Sequence, residues 1–231
     1  GIWVVKIAEG FSGSVDENAT STSATRNNES SADVLKKLIN SSGTIICSHT
    51  GYCDDCEGVS VNVVGSGWLD QMGNLVTTFG VINNALTPDG GPNTLFFIPT
   101  SKTSDTIPLK ELLYFNNAKN VAVVSLSKHL NLSGLNYAKT LPKKNEIVYS
   151  CGSSEREETV NIINVGHVCY GSSHDTFQYD FNSDADGAPI INARGELIAM
   201  VSTSDENDAM TTIPFTTIEK VGHGEKIFSL R

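Results

Sequence analysis

Apolar positions along this chain fall in short runs rich in Val, Ile, Thr and aromatic residues, cut at close intervals by Gly, Pro, Asn and Asp. The first half carries such runs at 44–47, 59–64, 68–69, 74–78, 94–98, 121–126 and 146–150. The second half continues with 159–165, 167–170, 176–179, 189–191, 196–202 and 211–214. β-Branched and aromatic side chains suit a pleated, half-buried surface, so these runs predict strands, and their spacing predicts an all-β barrel or sandwich. Residues 3–7 (WVVKI) read as one more short strand. Helical signals are few: 32–39 (ADVLKKLI) reads as a brief helix, and Pro214 opens a second over 214–219. No repeat at a solenoid period is present.

One stretch breaks the pattern. From Glu9 to Ser31 the chain is Ser, Thr, Asn, Gly and charged residues with almost no apolar anchor, too little burial to offset the entropy of ordering. An irregular or disordered N-terminal insertion is predicted there, and in the division into parts it is extended over 9–58.

At 231 residues the chain can bury a sizeable core as a single unit over 1–231. No apolar run approaches about 18 residues, so no membrane insertion is expected. The opening GIWVV lacks the basic and long apolar segments of a signal peptide. A formal net charge of -10 argues against nucleic acid, whose affinity is built from Lys and Arg, and leaves proteins or peptides as the expected partners. Five cysteines cannot all pair within the chain. Sequons at Asn18, Asn28, Asn40 and Asn131 matter only in a secreted chain, and the compartment stays open.

The segment 184–201, DADGAPIINARGELIAMV, is similar to the nucleophile region of HtrA/Deg-type trypsin-like serine proteases, G-N-S-G-G-P-L-[VL]-N followed by G-[EQ]-[VL]-[IV]-G-[IM]. Upstream, GSGWL at 65–69, GNLVTTFGVI at 73–82 and NVAVVSL at 120–126 resemble the family's G-S-G-[FV]-[IV], G-x-[IL]-[LV]-T-x-x-H-V-[VI] and D-[IL]-A-[VL]-L-x-[IV]. Residues 141–148, 159–166 and 211–214 resemble later parts in the family's order, so the likeness runs from about 65 to 221. It implies two six-stranded antiparallel β-barrels, an N-terminal one over about 1–125 and a C-terminal one over about 140–221. It also implies a Ser nucleophile, a His base and an Asp that orients the His. Those positions hold Asp186, Gly80 and Asn120. Gly80 has no side chain to act as a base, and an Asp without a base beside it is a poor acyl acceptor. The oxyanion donors would be the backbone N–H groups of Asp184 and Asp186, beside two carboxylates that oppose a developing negative charge. Ala185, where a trypsin-type activating pair needs Asp, fits the HtrA subfamily. The resemblance therefore implies a pseudoprotease that binds a protein or peptide.

Other constellations carry chemistry of their own. Cys169 and His167 alternate on one strand, which makes a relocated nucleophile the alternative; Cys151 is a second candidate thiol. Their plain reading is buried cysteines and a partly exposed histidine. Cys47, His49, Cys53 and Cys56 supply three thiols and an imidazole within ten residues, which reads as a zinc site, a disulfide within the group, or plain loop cysteines. Asn182, Asp184, Asp186 and Gly187 match the opening of a calcium loop, and Asp180 could add a ligand. Ala193 stands where such a loop needs its bidentate Glu. The plain reading is a solvated acidic turn, and no cofactor is expected. His129, His174 and His223, with His49, sit in polar stretches and read as solvated.

Overall fold

The computed structural model describes residues 6–8, 30–53, 56–86, 93–154, 161–170, 177–203, 210–221 and 228–229. In chain order these form β1 (Lys6–Ala8), α1 (Ser31–Ser41), β2 (Ser42–Cys53), β3 (Cys56–Leu69), β4 (Leu75–Thr77), α2 (Phe79–Leu86), β5 (Asn93–Pro99), β6 (Ile107–Asn116) and β7 (Val121–Leu126). They continue as β8 (Asn136–Tyr137), β9 (Ile147–Gly152), β10 (Ile162–Tyr170), β11 (Phe177–Tyr179), β12 (Pro189–Asn192), β13 (Glu196–Thr203), β14 (Met210–Pro214), α3 (Phe215–Val221) and β15 (Phe228–Ser229).

The N-terminal sheet runs β15-β6-β5-β2-β3-β4-β7, and β7 pairs back onto β6, closing a six-stranded antiparallel barrel. Its filling is apolar: Ile45, Leu69, Leu75, Ile82, Leu95, Phe97 and Ile107 are among the buried side chains. The C-terminal sheet runs β1-β10-β9-β12-β13-β14, with β11 on β10 and β8 on β13. It curls into a half-barrel, because β11 and β14 are not paired to each other among the described residues. The all-β, two-barrel layout expected from the sequence is present. Its second member is the open one.

Local chemistry explains most boundaries. Ser30 caps α1, its Oγ accepting from the Asp33 N–H at 3.3 Å and donating to the Asp33 carboxylate at 2.7 Å. Val34 and Leu38, four residues apart, turn one face of α1 into the core. At its other end the Ser41 and Ser42 hydroxyls donate to the carbonyls of Lys37 and Leu38. The chain then enters β2, whose Thr44 and Ile45 are fully buried. The insertion expected over 9–58 is thus shorter at its C-terminal side: 31–53 form a helix and a barrel strand, anchored by Val34, Leu38 and Ile45, while 9–29 lie outside the described residues.

Two elements differ from the sequence reading. Residues 79–86 form α2, packing Val81 and Ile82 into the first barrel, where the resemblance alone gave no helix. β6 was hidden because two register shifts, between Leu109 and Glu111 and between Leu112 and Tyr114, destroy the alternation by which a strand is recognised.

Between the barrels lies a layer of small buried polar groups. Thr44 Oγ1 and Ser153 Oγ are 2.7 Å apart; Ser66 Oγ donates to the Ser153 carbonyl at 2.9 Å and accepts from the Ser153 N–H at 2.7 Å. Asn161 Oδ1 accepts from Thr100 Oγ1 and Ser153 Oγ. A buried hydroxyl left unpaired costs free energy, so these bonds favour one way for the barrels to meet.

Candidate functional site

Three turns from the two barrels converge where this layer opens. Thr78 and Gly80 follow β4 at the start of α2. Asn120 precedes β7 in a turn closed by its N–H to the Asn117 carbonyl, with φ 51°, a left-handed backbone that Asn adopts more readily than most residues. Asp186 sits in the turn before β12, next to Gly187 at φ +87°. A Cβ on Gly187 would lie 2.1 Å from the Ser66 carbonyl oxygen, so both the backbone angle and the close approach require glycine.

The structure brings Gly80, Asn120 and Asp186 together. The Gly80 N–H donates to Asn120 Oδ1 at 2.8 Å, and a Cβ at Gly80 would sit 3.5 Å from that oxygen and 4.0 Å from Asp186 Oδ2. Asn120 Nδ2 donates to Ser202 Oγ at 3.0 Å. Asp186 Oδ2 accepts from Thr78 Oγ1 at 3.0 Å and Oδ1 accepts from the Thr203 N–H at 3.2 Å, so one carboxylate ties the end of β4 to the end of β13. The Asp186 main chain is held as firmly: its carbonyl accepts from Ser66 N at 2.7 Å and its N–H donates to the Asp184 carbonyl at 3.0 Å. Asp184 accepts from Ser154 Oγ at 2.7 Å. The side chains present can accept and relay hydrogen bonds. No imidazole takes part in these bonds.

Thr78, Ser202 and Thr203 complete this network and were not singled out in the sequence. The signal for Thr78 was its place two residues before Gly80. Ser202 and Thr203 had none, because they meet the cleft only through the curl of β13.

The remaining candidates are dispersed. Asp180 pairs with His167, Oδ2 lying 3.0 Å from Nδ1, and also accepts the His167 N–H. Burial pushes the Asp180 carboxyl up, but the hydrogen bonds and charge of His167 bring it below its ordinary value. Cys169 is half-buried, and its Sγ lies 3.9 Å from the His167 carbonyl oxygen. Cys151 is fully buried in the core, which raises its thiol to about 11 despite hydrogen bonds from Ser42 and Thr100. The three carboxylates of the calcium reading have different partners: Asp180 turns to His167, Asp184 to Ser154, and Asp186 to Thr78 and Thr203. Among the described residues no three His, Cys, Asp or Glu gather as a metal site.

The zinc reading loses one ligand. Cys47 is buried in the first barrel, with its thiol pushed up by desolvation. Cys53 is six residues further along the same strand, about 20 Å away at strand rise. Cys53 and Cys56 oppose each other in the β2–β3 register. The side chains of His49, Cys53 and Cys56, and all of His174 and His223, lie outside the described residues.

No family model matches the sequence, and no curated protein matches it significantly. Its similarity to known proteins is in the backbone. A serine endoprotease from Yersinia pestis superposes with a TM-score of 0.59 at 16% identity, over 84% of this chain and 65% of that one, so this chain spans a little under two thirds of it. The protease Rv3671c in its inactive form superposes with a TM-score of 0.56 at 12% identity, over 82% of this chain and 90% of that one. At such identities the likeness speaks to fold, and this chain has the fold of the trypsin-like serine proteases, one barrel closed and one open.

Proposed function

We propose that this chain is a pseudoprotease: a trypsin-fold protein of HtrA type that has lost proteolytic chemistry and binds a protein or peptide. The observation that carries this reading is the hydrogen-bond network at Gly80, Asn120 and Asp186. The resemblance assigns the base, its orienting acid and the nucleophile to these positions. Here a glycine, an amide and a carboxylate occupy them, Asn120 bonded to the Gly80 N–H and to Ser202, and Asp186 beside them bonded to Thr78 and Thr203. Without a base no proton can be taken from a nucleophile, and the Asp186 N–H, one of the expected oxyanion donors, points at the Asp184 carbonyl. A strand edge is what such a fold keeps when chemistry is lost. β13 pairs with β12 only as far as Met200, so Ser202 and Thr203 have β14 on one side and, among the described residues, no strand on the other.

The test is cleavage of casein and of a pooled peptide library by the natural protein beside the triple variant Gly80→His, Asn120→Asp, Asp186→Ser. Inert natural protein with detectable cleavage by the variant supports the proposal. Cleavage by the natural protein overturns it.

A second reading rests on the Asp180–His167 pair, which has the form of an oriented base two residues from Cys169. On that reading Cys169 is a relocated nucleophile. Labelling by a thiol-directed substrate analogue that disappears in both Cys169→Ala and His167→Ala would favour it; labelling indifferent to His167→Ala would remove it.

A further inference from the structure

At the opposite end of β12 from Asp186, two turns frame a hollow of about 760 Å³. The first turn runs from Lys143 to Glu146. The Glu146 N–H donates to the Lys143 carbonyl at 3.0 Å, the Glu146 carboxylate caps the Lys143 N–H at 2.9 Å, and Asn145 takes a left-handed φ of 63°. The Asn145 N–H and the Val168 N–H bolt this turn to β10, each to a carbonyl across the gap. The second turn joins β12 to β13, where Asn192 Oδ1 accepts from the N–H groups of Arg194 and Glu196. Arg194 bridges the two, with Nε 2.9 Å from Glu196 Oε2 and NH1 3.6 Å from Glu146 Oε1.

The outcome is a fixed basic frame on an acidic protein. Lys139, Lys143, Lys144 and Arg194 line the hollow, and the Lys37 stem lies over Gly195, where a Cβ would come within 2.8 Å of it. Five cations therefore stand against two carboxylates, Glu146 and Glu196, in a chain of net charge -10. Both carboxylates are engaged with Arg194. Lys139, Lys143 and Lys144 have no carboxylate within ion-pair distance among the described residues. Between them stands Leu141, 57% exposed, one of the few large apolar side chains left in solvent among the described residues.

We infer that this face is a docking site for an acidic peptide segment of a partner protein, with Leu141 receiving an apolar side chain and the three lysines pairing with flanking Asp or Glu. Charge complementarity selects an anionic occupant. Leu141 separates peptide from nucleic acid, because a phosphate backbone has no use for an exposed aliphatic side chain, and the acidic remainder of the surface repels a long polyanion at range. The turns are held by main-chain and carboxylate bonds in the unbound protein, so little ordering opposes binding at this site. The site lies apart from the cleft and stands independently of whether that cleft cleaves.

The test is fluorescence anisotropy with a labelled Asp/Glu-rich peptide containing a central leucine, the same peptide with that leucine changed to glycine, and a single-stranded oligonucleotide of equal length. Saturable binding of the leucine peptide is expected. It weakens at least about tenfold in Lys143→Glu/Lys144→Glu and several-fold in Leu141→Ser or on the glycine peptide, and it falls steeply as salt rises from about 50 to 300 mM. These substitutions are at exposed positions, and unchanged melting temperatures confirm that the fold is kept. No saturable binding, binding indifferent to the lysine reversals, or tighter binding of the oligonucleotide overturns the inference.

Discussion

Replacing Asp186 by Ala removes a carboxylate that joins both barrels at the cleft. Thr78 Oγ1, on a fully buried residue, loses its acceptor at 3.0 Å, and the Thr203 N–H loses its acceptor at 3.2 Å. A hydrogen bond to a charged group contributes roughly 1.5–3 kcal/mol, and an unsatisfied buried donor costs about 1–3 kcal/mol. Asp186 is only partly buried, so water takes over part of the loss, and exposed Asp184 two residues away relaxes when the neighbouring charge goes. The net expectation is a loss of about 2 kcal/mol, which in a chain of this size lowers the melting temperature by roughly 4–8 °C. Asp186→Asn keeps one acceptor and is expected to lose about half as much. Urea and thermal unfolding of the natural protein and both variants measure this directly. A change under about 0.5 kcal/mol in Asp186→Ala, or equal losses in the two variants, would refute the idea that this carboxylate clamps the barrels.

Three further outcomes follow from single positions. Gly187→Ala combines an unfavourable φ of +87° with a 2.1 Å approach to Ser66 and is expected to cost more than about 3 kcal/mol or to prevent folding, read by yield and unfolding. The Glu196 carboxyl, raised by burial but lowered further by Asn192, Arg194 and Lys37, ends below its ordinary 4.5. Its stabilisation is therefore present above that value and is lost as pH falls through the lower folded value, so Glu196→Gln should flatten the acid limb of stability measured below about pH 4.5. Alkylation at mildly alkaline pH, located by peptide mass mapping, should modify half-buried Cys169 well before Cys151, whose thiol burial raises to about 11. Equal modification of the folded protein at both would contradict the buried position of Cys151.

The strand pattern was legible because nearly every strand kept β-branched residues between turn residues; 121–126 matches β7 residue for residue. β6 was not, since its bulges shift which side chains face inward. Neither was the full length of β3 in the β2–β3 ribbon, because Gly65, Ser66 and Gly67 cut one continuous strand into the separate runs 59–64 and 68–69. For the site, the segment likeness picked out Gly80, Asn120 and Asp186, positions separated by up to 106 residues that the fold brings side by side. What the sequence could not supply was direction. The Cys47 group looked compact in one dimension, yet an extended strand carries Cys47 and Cys53 far apart, and only a helix or a loop would have gathered them. The acidic run around Asp184 looked like one cation site, but each carboxylate had a closer donor in another element.

The cleft and the inter-barrel layer form a single polar structure, and Ser66 joins them. Its N–H holds the Asp186 carbonyl, its hydroxyl holds Ser153, and its own carbonyl accepts from Thr77 Oγ1 at 2.7 Å. Anything that moves Asp186 therefore pulls on the layer that sets how the barrels meet. An extended peptide laid along Ser202 and Thr203 needs the Thr203 N–H, which already donates to Asp186 Oδ1. Such a ligand must displace that bond, and its apparent affinity is the intrinsic one multiplied by the fraction of molecules in which the bond is broken. Asp186→Ala removes the competitor along with the clamp. A cleft-binding peptide should thus bind the less stable variant more tightly, an opposition of stability and affinity that a merely misfolded cleft could not produce.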